Sequence, residues 1–396
     1  MSLPGALGDV AVVGAGAMGA GIAQVAALAG HEVHLVDMDA SLAARAREAV
    51  VDRIGARAVT GRISDDEAEA ARERLHVAQV MHDLPECALV VEAVREDLAT
   101  KQALFAELAR LQPPTTLLAT NTSSLDIDAI AEAVHDPERV IGLHFFNPAP
   151  VMRLVEVVHG RGSSPAYVDF AVSLMLRWGK TPVRCRSTPG FIVNRVARPF
   201  YGEAQRMAQE GLADPATIDA CLRAAGFAMG PLELTDLIGQ DVNLAVGTSV
   251  WEQTGHDPRY APTDYQRALV ADGRLGRKTG RGVYRYAPPG PASGPADDAE
   301  PDETTVAELV GGPVRTDPVA RTLAMLVNEA VDVVHRGDAG AADVDTAMVL
   351  GTAYPRGPIQ WGQELGHDRV RQVLAELDNA YPGGRYRPSE ALGGES

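Results

Sequence analysis

DVAVVGAGAMGAGIAQVAALAGHEVHLVD, residues 9–37, decides the fold. An apolar run ends in glycines, an Ala-rich helical stretch follows, and a second apolar run closes on an acid. Strand, turn, helix, strand in that order is a parallel unit with a helical crossover. GAGAMG, residues 14–19, has the G-x-G-x-x-G form. The motif alone is weak, but here it follows a strand, opens a helix and precedes Asp37 at the required distance. Gly14 permits the tight turn, Gly16 lets backbone approach a pyrophosphate, Ala17 and Met18 open the helix, and Gly19 lets helix and strand pack closely. The helix N-terminus adds partial positive charge. The alternative is a Gly-rich turn without a ligand. Asp37 suits ribose hydroxyls and repels a 2′-phosphate, and Met38 and Asp39 rather than arginine follow it, so NAD is expected over NADP.

Residues 10–30 carry no charge and are long enough to span a bilayer. They are Ala and Gly rather than Leu and Ile, and no basic segment or cleavage site precedes them, so a soluble chain is expected. The net charge of −17, from 53 acidic and 36 basic residues, argues against a nucleic-acid or anionic-membrane partner. Cys87, Cys185 and Cys221 are widely spaced. They frame neither a disulfide scaffold nor a zinc site, fit a reducing cytoplasm, and no metal is expected.

The 396 residues are too many for one compact core. Strands are expected at CALVVEAV, TLLATN, RVIGLHFF and LVEVV, with a helical pair over 41–75 and a helix at TKQALFAELARL. The fold class is α/β: a doubly wound Rossmann-type sheet over 1–186, followed by two all-α helical domains at 187–286 and 317–396. Residues 287–316 are read as a linker, from the Pro, Gly, Ala and acidic composition of 287–303. The second helical domain repeats the first: Glu203-Ala204, Gly211 and Asp219 match Glu329-Ala330, Gly337 and Asp345 at one constant offset. Gly230-Pro231, Gly239 and Asp241 match Gly357-Pro358, Gly366 and Asp368 one residue later in register.

HFFNP, residues 144–148, follows the apolar VIGL, and Glu156 stands alone inside the apolar run LVEVV. Oxidation of an alcohol by a nicotinamide needs a base, and imidazole titrates near working pH. His144 stands at the carboxyl end of a strand, where open α/β sheets bind ligands. A carboxylate among apolar residues is costly without a partner, and His144 is the obvious one. The alternatives are a structural histidine and a glutamate facing solvent at a sheet edge. TNTSS, residues 120–124, points its hydroxyls and amide into the same crevice or serves as a helix N-cap run. Asn194, in GFIVNR, needs a hydrogen-bond partner inside an apolar helix start.

Together GAGAMGAGIAQVAALAGHEVHLVD, VVEAVREDLATKQALF, NTSSL, HFFNPAPVMRLVEVV, GFIVNR and GRKTGRGVY resemble the L-3-hydroxyacyl-CoA dehydrogenase family over residues 8–286. The duplicated tail resembles its longer members, with helical domains like the C-terminal domain of 6-phosphogluconate dehydrogenase. The resemblance implies NAD-dependent oxidation of a 3-hydroxyacyl-CoA in fatty acid metabolism. It implies His144 as base, Glu156 as its orienting partner, and Ser123 and Asn194 as hydrogen-bonding groups for the reacting oxygens. Glu96 and Lys101 are expected at the cofactor, with Lys101 also reaching the CoA side. Asn147 and Lys278 are expected on the nicotinamide side. The family's CoA-binding lysines on the helical pair after Asp37 have no clear counterpart; Arg53, Arg57 and Arg62 either serve in their place or lie on a solvated helix face. Nine residues before Glu203 lies Asn194, whereas the same step back from Glu329 lands on Ala320. The second copy is therefore expected to be structural and to pack on the first within the chain; a homodimer stays open. The rival readings are a free hydroxy acid, a carrier-protein thioester, and a non-catalytic NAD-binding protein.

Overall fold

The computed structural model describes residues 8–287, 290, 294–295 and 300–393. Most of the segment read as a linker, 287–303, lies outside the described residues. The chain divides into two compact units, Met1–Phe191 and Ile192–Ser396.

In the first unit eight strands form one sheet: β1 (Val10–Val13), β2 (Val33–Val36), β3 (Leu75–Val77), β4 (Leu89–Glu92), β5 (Leu117–Thr120), β6 (Val140–Phe145), β7 (Leu154–His159) and β8 (Thr181–Arg186). Their spatial order is β3-β2-β1-β4-β5-β6-β7-β8, all neighbours parallel except β6 with β7. The order reverses direction between β1 and β4, the switch point where such sheets bind ligands. Helices α1 (Ala17–Leu28), α2 (Ala40–Val59), α3 (Asp65–Glu73), α4 (Leu98–Leu111), α5 (Ile127–Ala131) and α6 (Pro165–Arg177) complete the unit. The expected helical pair over 41–75 is α2 and α3, broken at Thr60-Gly61, with Ser64 and Glu67 forming a capping box for α3.

Two strands escape sequence reading. β3 is only three residues long. In β8, TPVRCR, Val183 and Cys185 are buried while Arg184 and Arg186 are exposed, and Pro182 is tolerated because the strand is at the sheet edge. The boundary falls after Phe191 rather than at Arg186. Past β8, Ser187 Oγ accepts from Ile127 N at 2.8 Å and donates to Asp126 at 2.7 Å, which ties the chain back to the sheet.

The second unit is helical: α7 (Val193–Val196), α8 (Arg198–Gln209), α9 (Pro215–Ala224), α10 (Pro231–Ile238), α11 (Gln240–Gln253), α12 (Asp264–Ala271), α13 (Glu303–Leu309), α14 (Pro318–His335), α15 (Ala341–Thr352), α16 (Pro358–Leu365) and α17 (His367–Ala380). The expected linker, 287–316, thus contains a helix, α13. Asp302 caps it through Thr304 N and Thr305 N, and Val306 is buried.

The repeated Asp and Gly-Pro signatures have one physical cause. Asp219 accepts from Leu232 N and Glu233 N, both at 2.8 Å, at the start of α10. Asp345 accepts from Ile359 N at 2.7 Å and Gln360 N at 3.1 Å at the start of α16. A Cβ at Gly230 would sit 2.2 Å from Asp219, and one at Gly357 would sit 2.0 Å from Asp345. Each aspartate therefore fixes a helix start that only glycine lets it approach. Gly239 and Gly366, at φ 103° and 81°, break the chain after α10 and α16.

α8 and α14 pack side by side and exchange ion pairs. Glu203 on α8 is fully buried and pairs with Arg321 at 3.2 Å, while Arg385 Nε reaches it at 2.8 Å and Tyr386 Oη donates at 2.8 Å. Glu329 on α14 pairs with Arg195 at 2.6 Å and Arg259 at 3.4 Å, and Tyr260 donates to it. Arg195, Arg259 and Tyr260 stand to Arg321, Arg385 and Tyr386 at the offset that separates Glu203 from Glu329. Each carboxylate is thus held by the other half's arginines. No helix among the described residues is long and apolar enough to cross a membrane.

Candidate active site

His144 and Glu156 are directly paired residues of β6 and β7, so their Cβ atoms lie about 5 Å apart on one face. His144 Nδ1 lies 2.6 Å from Glu156 Oε2. Glu156 is 0% exposed and His144 is 6% exposed. The alternative of a glutamate at a sheet edge fails, because β8 lies outside β7 and Val183 pairs with Glu156. A carboxylate accepts, so Nδ1 carries the proton and Nε2 keeps its lone pair. Phe146 and Phe191 flank the imidazole, with ring centroids 4.5 Å and 5.8 Å away. Phe191 was not singled out from sequence. It adopts φ 49°, a left-handed conformation that costs a bulky residue about 1–2 kcal/mol.

The glycine turn fits a dinucleotide. A Cβ at Gly14 would lie 2.6 Å from Ala93 O, at the end of β4, and one at Gly19 would lie 1.8 Å from Gly14 O. At Gly16 a Cβ would meet nothing within 4 Å, so the absent side chain leaves open space at the N-terminus of α1. No side chain caps that terminus, and its first turn holds no acid. Ala17 and Met18 begin the helix there. Asp37 accepts from Ala15 N at 2.8 Å and Asp39 N at 3.0 Å. The bond to Ala15 fastens the end of β2 to the turn, and each oxygen keeps a lone pair for a ribose hydroxyl. The chemistry of these groups fits NAD.

Glu96 gathers the TNTSS loop. It accepts from Thr122 Oγ1 at 2.5 Å, Ser123 N at 3.1 Å, Ser124 N at 3.2 Å and Ser124 Oγ at 3.0 Å. Desolvation pushes its carboxyl up, but the Thr122 hydroxyl, the Lys101 charge and the Ser124 and Ser123 donors together hold it below the usual range. Ser123 is thereby fixed by its backbone. Lys101 does not reach outward to CoA: it is 1% exposed, with Nζ at 2.6 Å from Glu92 and 3.4 Å from Glu96. Burial requires those partners, so its charge is spent on shaping the loop. Glu92 was missed, although LVVEAV isolates it as LVEVV isolates Glu156. It also accepts from Thr120 Oγ1 at 2.7 Å and Val94 N at 2.7 Å. Asn121, the amide of TNTSS, accepts from Phe145 N at 2.9 Å and so links the loop to the strand end carrying His144.

Asn147 is exposed in the turn after β6. Arg53 is exposed on α2 and donates to Gln24 at 2.9 Å. In the helical unit, Asn194 is half-buried on α7, and Lys278 pairs with Asp241 at 2.6 Å.

Residues 9–188 match the model for the NAD binding domain of 3-hydroxyacyl-CoA dehydrogenase, and residues 190–286 and 318–393 match the model for its C-terminal domain. The chain is 42% identical to the 3-hydroxyadipyl-CoA dehydrogenase of Escherichia coli (strain K12), over 97% of this chain and 96% of that one. It is 38% identical to a probable 3-hydroxybutyryl-CoA dehydrogenase of Bacillus subtilis (strain 168), over 70% of this chain and 97% of that one. A crystal structure of 3-hydroxybutyryl-CoA dehydrogenase from Escherichia coli K12 superposes with a TM-score of 0.88 at 41% identity, covering 98% of this chain and 97% of that one. A dinucleotide turn at the switch point, a histidine and carboxylate paired across β6 and β7, and family matches spanning both units place the chain in the 3-hydroxyacyl-CoA dehydrogenase family.

Proposed function

We propose that this chain oxidises the C3 hydroxyl of an L-3-hydroxyacyl-CoA to the 3-oxo thioester, reversibly, with His144 as base and Glu156 as its orienting partner. The contact that carries the reading is the buried Nδ1 to Oε2 hydrogen bond of 2.6 Å. It commits one ring nitrogen to Glu156 and frees Nε2 to take the hydroxyl proton. NAD, when bound at the glycine turn, supplies the hydride acceptor. As Nε2 gains its proton the ring becomes cationic, and Glu156 balances that charge without moving. In the reverse direction the imidazolium returns the proton to the 3-oxo oxygen. Ser123, fixed by Glu96, and Asn194 hydrogen-bond the reacting oxygens in this reading. Asn147 and Lys278 serve the nicotinamide side. Gly14, Gly16, Ala17, Met18, Gly19 and Asp37 form the dinucleotide turn.

The names of the relatives from Escherichia coli and Bacillus subtilis differ in acyl group and share the CoA thioester. That supports CoA over a free hydroxy acid. The test compares 3-hydroxybutyryl-CoA with free 3-hydroxybutyrate: turnover is expected with the thioester alone, and equal turnover of the free acid overturns the assignment.

We infer also that α14–α17 repeat α8–α11 as a structural copy without the reactive amide, since Ala320 stands at the place of Asn194. The family's C-terminal model matches both halves, and the exchanged arginine pairs supply a reason for the copies to stay together. The acidic net charge and the burial of all three cysteines support the cytoplasm as its compartment.

A further inference from the structure

Inside the helical unit, α8, α11 and α12 border a cavity of about 30 Å³, lined by Arg198, Gln205, Asn243, Gln266, Arg259 and Arg385 among others. Among the described residues no carboxylate stands in its wall. Arg259 pairs with Asp257 at 2.9 Å and Glu329 at 3.4 Å, and Arg385 pairs with Glu203. Arg198 makes no such ion pair with any described residue. Its Nη1 donates to Asn243 O at 3.2 Å, its guanidinium lies 4.9 Å from the centre of the Tyr201 ring, and its Nε is buried with no protein acceptor. Burial holds its pKa below the usual value, against the opposing pull of Tyr201 and Tyr354.

Two amides bring further donors. Gln205 and Asn243 are each 3% exposed, and Gln205 Nε2 and Asn243 Nδ2 have no protein acceptor. The polarity of Asn243 is set from behind. Asp236 accepts from Val283 N and Tyr284 N, both at 2.9 Å, and from Gln240 Nε2 at 2.7 Å. Gln240 Oε1 then accepts from Gln266 Nε2 at 3.0 Å, and Gln266 Nε2 also donates to Asn243 Oδ1 at 3.0 Å. The chain starts at a carboxylate, so each amide hands on the same polarity and Asn243 ends it with an N–H. Gln205 Oε1 is taken by Thr263 Oγ1 at 2.8 Å. Arg198, Gln205 and Asn243 thus bring spare donors to one cavity, while the side-chain oxygens of the two amides are already used.

Buried donors require an acceptor, and a guanidinium with no carboxylate requires a negative charge. A water accepts about two hydrogen bonds and must then place its own hydrogens, for which the two amides have no oxygen left. A halide ion only accepts and carries the missing charge. The volume admits about two water-sized atoms, enough for chloride or bromide and too little for phosphate or sulfate. We propose that this cavity is a binding site for a halide-sized inorganic anion, with Arg198 as its counter-ion and Gln205 and Asn243 as donors, so that the ion fastens α8 to α11. The site lies wholly within the helical unit and does not depend on the dehydrogenase reading.

The experiment has a crystallographic and a solution arm, both on the full chain. Crystals soaked in sodium bromide are expected to show an anomalous peak in the cavity, within hydrogen-bond reach of Arg198, Gln205 and Asn243. Water alone in the cavity, or bromide only at the surface, overturns the proposal. In solution, thermal unfolding is compared in sodium bromide and in sodium gluconate, whose anion is too large for the cavity, at one ionic strength. The wild-type protein is expected to gain roughly 3–6 °C in bromide at tenfold excess over Kd, and the gain saturates. Arg198→Met loses the saturable gain with its counter-ion. Gln205→Glu loses it too, because its own carboxylate takes the place of the ion, and it stays folded because Arg198 is then paired; its Tm in gluconate is at or above that of wild type. Non-specific effects of the two salts act on all three proteins alike. A saturable gain that either variant keeps overturns the proposal, and a crystal peak without one in wild type marks an adventitious ion only and does so as well.

Discussion

Glu156→Gln is the most informative single change in the sheet unit, because it keeps the shape of the side chain and removes its charge. Glu156 is fully buried and His144 nearly so, and 2.6 Å separates Nδ1 from Oε2. When Nε2 takes the substrate proton, the positive charge is spread over the ring, about 4 Å from the centre of the carboxylate. At an effective dielectric constant of about 20 that pair is worth about 4 kcal/mol. A neutral amide forfeits most of this, and 1.36 kcal/mol corresponds to a factor of ten in rate, so kcat falls roughly 10³-fold. The amide can also turn its oxygen or its NH2 toward Nδ1, which loosens the choice of tautomer and acts in the same direction. The assay is NADH formation at saturating 3-hydroxyacyl-CoA, with NAD affinity measured separately by fluorescence titration and expected to change little. A double variant with His144→Gln is expected to be no slower than His144→Gln alone, because the carboxylate acts only through the ring. If Glu156→Gln keeps kcat within about threefold of wild type, the electrostatic argument fails. If the two losses multiply in the double variant, Glu156 has another role and the orienting assignment is withdrawn.

The remaining predictions concern the cofactor turn and the helical unit. Gly16→Ala is expected to leave stability nearly unchanged, since its Cβ meets nothing, yet to raise the Kd for NAD by filling the space where the pyrophosphate approaches. Gly19→Ala, whose Cβ would lie 1.8 Å from Gly14 O, is expected to lower Tm and NAD affinity together; equal NAD affinity in both variants and wild type refutes the placement of the pyrophosphate. Arg195→Ala leaves Glu329, Asp332 and Asp338 without their common partner and is expected to cost about 3–5 kcal/mol in denaturant unfolding. Burial pushes Glu203 up, but Arg385 and Arg321 outweigh it and hold the carboxyl down at about 2. Because the folded pKa is depressed, the stabilisation is present above the unfolded value, near 4.5, and is lost as pH falls from there through about 2. It amounts to about 3 kcal/mol at neutral pH. Glu203→Gln should remove this component of the acid-induced loss, and an unchanged acid limb in that variant contradicts the linkage.

The sequence carried the parallel unit, the glycine turn and the lone acid of LVEVV because each depends on local pattern. Alternating or continuous apolar runs, glycines at fixed steps, and a charge where none belongs are all visible within a few residues. β3 and β8 were not visible, one for its shortness and the other because an edge strand carries polar residues and a proline. Lys101 was misjudged for a related reason. The resemblance sends it toward CoA, and only Glu92, a strand away, shows that it turns inward. The repeat was legible as spacing, but its meaning was not, since the partner of Glu203 lies on a helix more than a hundred residues later and no local signal names it.

Four buried acids, Glu92, Glu156, Glu203 and Glu329, pose one problem, and the structure answers it in three ways. Burial makes every one of them require a cation or a donor. Glu92 takes Lys101, and Glu203 and Glu329 take pairs of arginines and a tyrosine. Ammonium and guanidinium groups are donors with no lone pair to offer, so once paired they hold structure in place and do nothing further. Glu156 alone takes an imidazole, the one partner that satisfies a carboxylate with one nitrogen and keeps a basic lone pair on the other. In the proposed mechanism, what separates Glu156 from the architectural acids of this chain is therefore the second valence of its partner rather than its own burial.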